Sequence, residues 1–422
     1  MFVIGRLLAI ALLAAPAADA PLLTAEAGLD GVGRPGRWLP VRVTIDARTE
    51  DINGDLVAEW GRARVRRALI LPAPSRVEFD LYIRTGDVRD VVLVRLEQGG
   101  RETSRVTLPV RIVGVEDQTA LTVPAGRWPH SWRGYDAADA LMFDTGDAPS
   151  ARGDRDALAL WRALRDAGDA DRALPAAEPV PPASSPASHA ATTAILYTIA
   201  IAAVPLLVRR GRSRVLLLYP AIALVVAGGS AAAWATGRSS AIVVRHQSFA
   251  EQFEGAATTL VSMRATAQYP ADEDFSLRAD TMDGVLDGVS SSASGDETRL
   301  DAEGRPMLDH RAGLGSTESF SVEATSGFRA FDVTHDGPRT RIVNVSTAAL
   351  DRCEFPPAFS TAAADRLAPG QSIESSSVIT GPDPIVACRF AGAPLAFTEP
   401  HHAVTTSGST LVVYHLAGAR DQ

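Results

Sequence analysis

Strict alternation of apolar and polar side chains over two eight-residue stretches constrains this chain more than any other feature. Leu39, Val41, Val43 and Ile45 alternate with Pro40, Arg42, Thr44 and Asp46. Val77, Phe79, Leu81 and Ile83 alternate with Glu78, Asp80, Tyr82 and Arg84. Period two turns one set toward a core and the other toward water, so both stretches are predicted as half-buried strands. Residues 91–97 and 105–113 read as a hairpin across Gly99-Gly100, with turn signals at Asn53-Gly54 and Pro72-Ala73-Pro74. Residues 21–113 are therefore expected to form a small Ig-like β-sandwich, a fold that by itself decides no function.

Two long apolar runs set the second constraint. Residues 191–208 and 215–237 carry no charge, and between them lie Arg209, Arg210, Arg212 and Arg214 in the six-residue connection 209–214. Runs of this length fit a transmembrane helical hairpin, and arginines in a short connection keep it on the cytoplasmic side. The first 20 residues have a lone Arg6, an apolar run and small residues ending at Ala20. That is the layout of a signal peptide, either cleaved after Ala20 or retained as an anchor. Export and hairpin together predict a bacterial inner-membrane protein with its large regions in the periplasm. The competing interpretation, two buried helices of a soluble domain, fits poorly with the arginine cluster. The spans lack ionisable residues, so they are expected to anchor rather than conduct.

Residues 239–422 return to strand-like stretches at 242–245, 260–269, 320–324, 328–333, 341–345 and 410–416, and are expected to form a second β-rich periplasmic domain. The Ser-, Gly- and Asp-rich stretch 283–301 reads as a flexible loop. Cys353 and Cys388 are the two cysteines of the chain. In an exported region they are expected to form a disulfide rather than a redox pair, which would want CxxC spacing. His401, His402 and His415 lack the spacing of a metal site and read as surface histidines.

Residues 114–173 differ from both β-rich parts. Trp132-Arg133-Gly134-Tyr135-Asp136-Ala137-Ala138-Asp139 leads into an apolar run expected to be a buried parallel strand. Asp154 is then placed to cap a helix that shares Ala157, Leu158, Leu160, Trp161 and Leu164 on one face. The stretch 132–139, with the strand and helix after it, resembles part of the glutamine-amidotransferase-like domain of some exported bacterial membrane proteins. That resemblance implies an Ig-like N-terminal part, an α/β insert and a membrane anchor, with AAA+ ATPases and von Willebrand-type proteins as partners. Most of the α/β domain is missing from this chain. The segment holds no cysteine, and His130 is its single histidine, so amidotransferase chemistry is excluded. A proline-rich linker at 174–190 follows.

The chain of 422 residues has a net charge of −9, which argues against nucleic acid as a partner. All of its basic residues other than histidine are arginines. No Walker A loop, no GxGxxG that follows a strand and no GxSxG elbow occurs, and no cofactor or metal site is expected. The overall expectation is a mainly β fold: two periplasmic sandwich-like regions, a short α/β remnant and a two-helix transmembrane hairpin. The expected function is a non-catalytic, membrane-anchored scaffold or binding protein of an envelope complex. The alternative is a periplasmic hydrolase with a non-motif site in the C-terminal β-rich domain.

Overall fold

In the computed structural model of this chain, the described residues are 22–84, 86, 89–114, 116–143, 149–166, 241–281, 283–288, 297–313, 316–337, 339–356, 359, 365–375 and 384–416. The N-terminal part supplies β1 (Leu22–Ala27), β2 (Val32–Gly33), β3 (Trp38–Ala47), β4 (Ile52–Trp60), β5 (Ala63–Leu71), β6 (Ser75–Arg84), β7 (Val91–Gln98), β8 (Arg101–Pro109) and β9 (Arg111–Ile112). Both alternating stretches are strands: β3 pairs antiparallel with β6, and β1 adds to the other edge of β3. This three-stranded sheet packs on β5-β4-β7-β8. Leu39, Val41, Val43 and Ile45 are completely buried between the layers with Leu56, Ala58, Val92 and Val94. Each of the Leu, Val and Ile side chains contributes about 2 kcal/mol.

The hairpin between β7 and β8 turns on Gly99 and Gly100, whose φ angles of 56° and 74° suit a two-residue turn. Asn53-Gly54, however, is not a turn but lies inside β4. A Cβ on Gly54 would come within 2.0 Å of the Glu97 carbonyl oxygen, so glycine is needed there for close approach to β7.

The middle segment contributes β10 (Ala120–Val123), a 3-10 turn at Trp132–Tyr135, β11 (Ala140–Phe143) and α1 (Arg152–Asp166). β10 and β11 pair in parallel. The expected burial of β11 does not hold: Met142 is 53% and Phe143 39% exposed, because a two-stranded sheet offers no second layer to cover them. The helix begins two residues before Asp154, which sits in its first turn and is not its cap. The five apolar residues predicted for one helix face are all buried. They join Trp128, Trp132 and Tyr135 in a cluster that also takes in Leu29, Val32 and Trp38 from the first part and Phe253, Leu260 and Val285 from the last. The segment is thus a wedge between the two β-rich parts.

The C-terminal part runs through β12 (Ile242–Phe253), β13 (Thr259–Gln268), β14 (Glu273–Ala279), β15 (Gly284–Gly288), β16 (Glu297–Leu300), β17 (Pro306–Ala312), β18 (Thr317–Ser326), β19 (Phe331–Asp336), β20 (Arg339–Asn344), β21 (Leu350–Glu354), β22 (Arg366–Leu367), β23 (Ser372–Glu374), β24 (Pro384–Phe390), β25 (Phe397–Thr398) and β26 (Val404–His415). An eight-stranded sheet, β15-β18-β13-β12-β26-β24-β21-β22, forms its main layer. Phe275 and Leu277 of β14, Phe397 of β25 and Phe331 and Ile342 of β19 and β20 share one buried cluster with that sheet.

A second eight-stranded sheet, β25-β14-β17-β16-β5-β4-β7-β8, runs from the C-terminal part into the N-terminal one. It is joined where β16 pairs parallel with β5, Glu297 opposite Arg64 and Leu300 opposite Arg67. Leu300 packs on the N-terminal core. Above the join, Arg66 reaches Asp55 and Glu97 at 2.9 Å and Glu297 at 3.4 Å. The stretches 21–113 and 239–422, which the sequence presents as separate, therefore share a sheet. Stretch 283–301, expected as a loop, contains β15 and β16.

The membrane part of the expected fold is corrected. No helix of the described residues is long and apolar enough to cross a membrane. Here α1 is a 15-residue amphipathic helix with Asp154, Asp156, Arg162 and Arg165 among its charges. The runs 191–208 and 215–237, and Arg209, Arg210, Arg212 and Arg214 between them, lie outside the described residues, as do residues 1–20 and the linker 174–190. The inner-membrane placement needed that hairpin as well as the export signal and is withdrawn with it.

Candidate functional site

The three parts of the chain meet at Arg133. The 3-10 turn that carries it is capped by Ser131, whose Oγ accepts the Arg133 backbone N–H at 3.2 Å and donates to Asp283 at 2.8 Å. The Arg133 side chain is 1% exposed. Its Nη1 donates to Asp283, and its Nη2 donates to the Glu323 carbonyl oxygen at 3.0 Å and reaches the Glu323 carboxylate at 3.4 Å. The guanidinium lies over Trp38 at 4.9 Å and Trp132 at 5.2 Å. One side chain of the wedge thus touches β3 on one side and β18 and the residue before β15 on the other. Burial works against its charge, and Asp283 and Glu323 outweigh burial, so its pKa is raised and it stays a cation.

Other members of the 132–139 stretch also face across the joint. Asp136 accepts the Trp38 backbone N–H at 2.9 Å and an Arg37 contact at 3.4 Å. Burial raises the Asp136 pKa, with those two donors opposing it. Asp139 takes Arg34 at 2.7 and 3.0 Å and the Thr119 backbone N–H at 2.8 Å. The Arg34 hydrogen bond lowers its pKa. Tyr135 is fully buried and donates to the Pro129 carbonyl at 3.3 Å. Gly134 must be glycine because a Cβ would meet the Pro129 Cβ at 2.2 Å. The stretch that carries the family resemblance is here a structural joint.

Beside the joint is a half-open cavity of about 100 Å³ whose lining includes Arg67, Asp80, Tyr82, Arg133, Asp283 and Thr298. Asp80 is held by Arg42 at 2.8 Å. Arg67 donates to the Ala302 carbonyl at 3.0 Å and lies over the Phe79 ring at 4.2 Å. Its pKa is lowered by burial, with Asp301 and Glu303 opposing. The buried Arg67 Nε and Arg133 Nε have no hydrogen-bond partner among the described residues, and the buried Tyr82 hydroxyl, approached by the Ser131 backbone N–H, has no acceptor for its own proton. Burial, then the charges of Asp80 and Asp283, hold the Tyr82 hydroxyl well above its usual pKa.

Cys353 on β21 and Cys388 on β24 are disulfide-bonded, with their Cα atoms 4.1 Å apart on neighbouring strands. His130 is exposed, and its Nδ1 lies 2.6 Å from Asp154. His401 is exposed, but the surface assignment of the other two histidines is corrected. Glu399 accepts the backbone N–H groups of His401 and His402 in the bend before β26, and His402 is drawn in between Glu399 at 3.1 Å and Glu273 at 3.0 Å. His415 stacks on Phe253 and lies 3.3 Å from Glu251. Among the described residues no group of three or more His, Cys, Asp or Glu side chains could hold a metal ion.

Sequence reasoning missed Asp283, Glu323, Arg67 and Tyr82 as site residues. Tyr82 and Glu323 stand at polar positions of strands, and Asp283 in a polar stretch, with no local signal that singles them out.

A family model described as "Domain of unknown function (DUF8726)" matches residues 20–111, which cover the N-terminal sandwich. No curated protein matches the chain. Among solved structures, the chain is similar to the yeast delta-COP-I mu-homology domain complexed with Dsl1 WxWxV peptide, at 12% identity over 42% of this chain and 98% of that chain. The TM-score of 0.20 is too low for that likeness to carry an argument.

Proposed function

We propose that the chain is a non-catalytic scaffold or binding protein whose two β-rich parts are held in fixed relation so that they present one composite surface to a protein partner. The observation that carries this reading is the Arg133 joint. A buried arginine bonded to Asp283 and Glu323 and stacked on Trp38 is expensive unless all its partners are in place, so it favours a single arrangement of the parts. The shared sheet through β16 and β5 supports the same reading. Fixed geometry between two modules is what a multi-point interaction surface requires.

The test is crosslinking in intact cells, followed by purification and mass spectrometry, with the native chain and with Arg133→Met. The reading expects stoichiometric recovery of a protein partner with the native chain and loss of most of it with the variant. The AAA+ ATPases and von Willebrand-type proteins implied by the resemblance of residues 132–139 are the first to look for. Recovery of the protein alone, or equal recovery with a folded Arg133→Met chain, would contradict it.

A further inference from the structure

We propose that the cavity beside Arg133 is a binding site for a small oxyanion, a carboxylate or a phosphate, held by Arg67 and the hydroxyl of Tyr82. The charges around the cavity, Arg67 apart, have partners of opposite sign. Arg133 is taken by Asp283 and Glu323, Asp80 by Arg42 at 2.8 Å, and Glu303 by Arg305 at 3.3 Å. The cation left over is Arg67: among the described residues no carboxylate forms an ion pair with it, and its one hydrogen bond is to the Ala302 carbonyl. Arg67 is half-buried, and its buried Nε has no acceptor, so the guanidinium is incomplete until one reaches it.

Tyr82 supplies the second donor. Its hydroxyl is buried and part of the same lining, with the Ser131 backbone N–H directed at its oxygen and no acceptor for its proton, and a neutral phenol so placed can give that proton to an anion's oxygen. Backbone geometry leaves the guanidinium accessible: Gly304, at φ +90°, lies so close that a Cβ would stand 2.9 Å from Arg67 Nη1. A cavity of about 100 Å³ has room for a group with a few heavy atoms. Apolar Val65 and Leu300 are also in its lining, and would help exclude water from around the charge pair. Arg67 from β5 and Tyr82 from β6 line one space, and Thr298 and Leu300 of β16 line it too, which describes a small built site rather than a surface contact. The proposal does not depend on the scaffold reading.

The test is calorimetric titration of the whole chain with sodium phosphate and, separately, with sodium acetate, each against sodium chloride at matched ionic strength. Saturable binding of either anion beyond the chloride control is expected, and which of them binds identifies the source of the oxyanion. Arg67→Gln should weaken that binding about tenfold or more, and Tyr82→Phe should weaken it several-fold without removing a charge. If Arg67→Gln does not fold, Tyr82→Phe and Gly304→Ala, which presses on the guanidinium, carry the comparison. No saturable binding of either anion would overturn the proposal. So would binding unchanged in both Arg67→Gln and Tyr82→Phe.

Discussion

Arg133 and Asp283 stand 150 positions apart in sequence and meet as an ion pair, the arginine buried and the carboxylate partly exposed, at the point where the wedge touches both β-rich parts. Asp283 is bound at the same time by Ser131 at 2.8 Å and Thr325 at 3.2 Å, so its carboxylate is the hub of the joint.

Breaking this pair from the Asp283 side leaves buried Arg133 with Glu323 as its one acidic partner. Asp283→Asn is expected to cost about 3 kcal/mol or more in urea unfolding, because Arg133 stays buried with a weaker partner. The double variant Arg133→Met with Asp283→Asn should cost less than the sum of the two single changes. Additive losses would mean that the two side chains do not act as a pair.

Gly134→Ala probes the same joint without touching a charge. The added Cβ would stand 2.2 Å from the Pro129 Cβ, so the turn must open or Pro129 must shift. A loss of about 1–3 kcal/mol is expected from overpacking, read as a fall in the urea midpoint. A neutral result would show that the turn packs more loosely than this contact implies.

A pH dependence follows from His246. It is 2% exposed, its Nδ1 lies 2.8 Å from Ser248 Oγ, and burial lowers its pKa from 6.5 to about 4. Folding therefore excludes a proton that the unfolded chain takes up. The stability is complete above about pH 6.5 and falls by about 1.4 kcal/mol per unit as pH drops, levelling off near pH 4 after a loss of about 3 kcal/mol. His246→Gln should flatten this part of the profile of unfolding free energy against pH. An unchanged slope would place the proton uptake elsewhere.

The disulfide between Cys353 and Cys388 closes 35 positions of chain. In the chain-entropy account a loop of that length stabilises by about 4 kcal/mol. The Cys353→Ala, Cys388→Ala double variant should show that loss, and a reducing agent should affect the native chain but not the variant.

The N-terminal strands were legible because each carries its signal locally: Leu39 to Ile45 and Val77 to Ile83 alternate without a break, and Gly99-Gly100 marks its own turn. The α1 face was legible for the same reason. Asn53-Gly54 misled because a turn and a close strand approach both ask for glycine, and only the position of the Glu97 carbonyl distinguishes them. β16 has four residues and takes its place from β5 rather than from any period of its own, so the stretch around it looked like a loop. Arg133 stood within a stretch that the sequence did single out. Its partners Asp283 and Glu323 come from 150 and 190 positions away, a distance over which charge in a sequence carries no address.

The central claim is that the wedge and the β16–β5 join make one body of the two β-rich parts. Native-state hydrogen exchange of the whole chain, read by mass spectrometry over β5, β16 and residues 132–139, tests it most directly. The account predicts that these three stretches exchange together at one level of protection and that Arg133→Met lowers all three together. Rapid exchange of β16 and of residues 132–139 while β5 stays protected would contradict it.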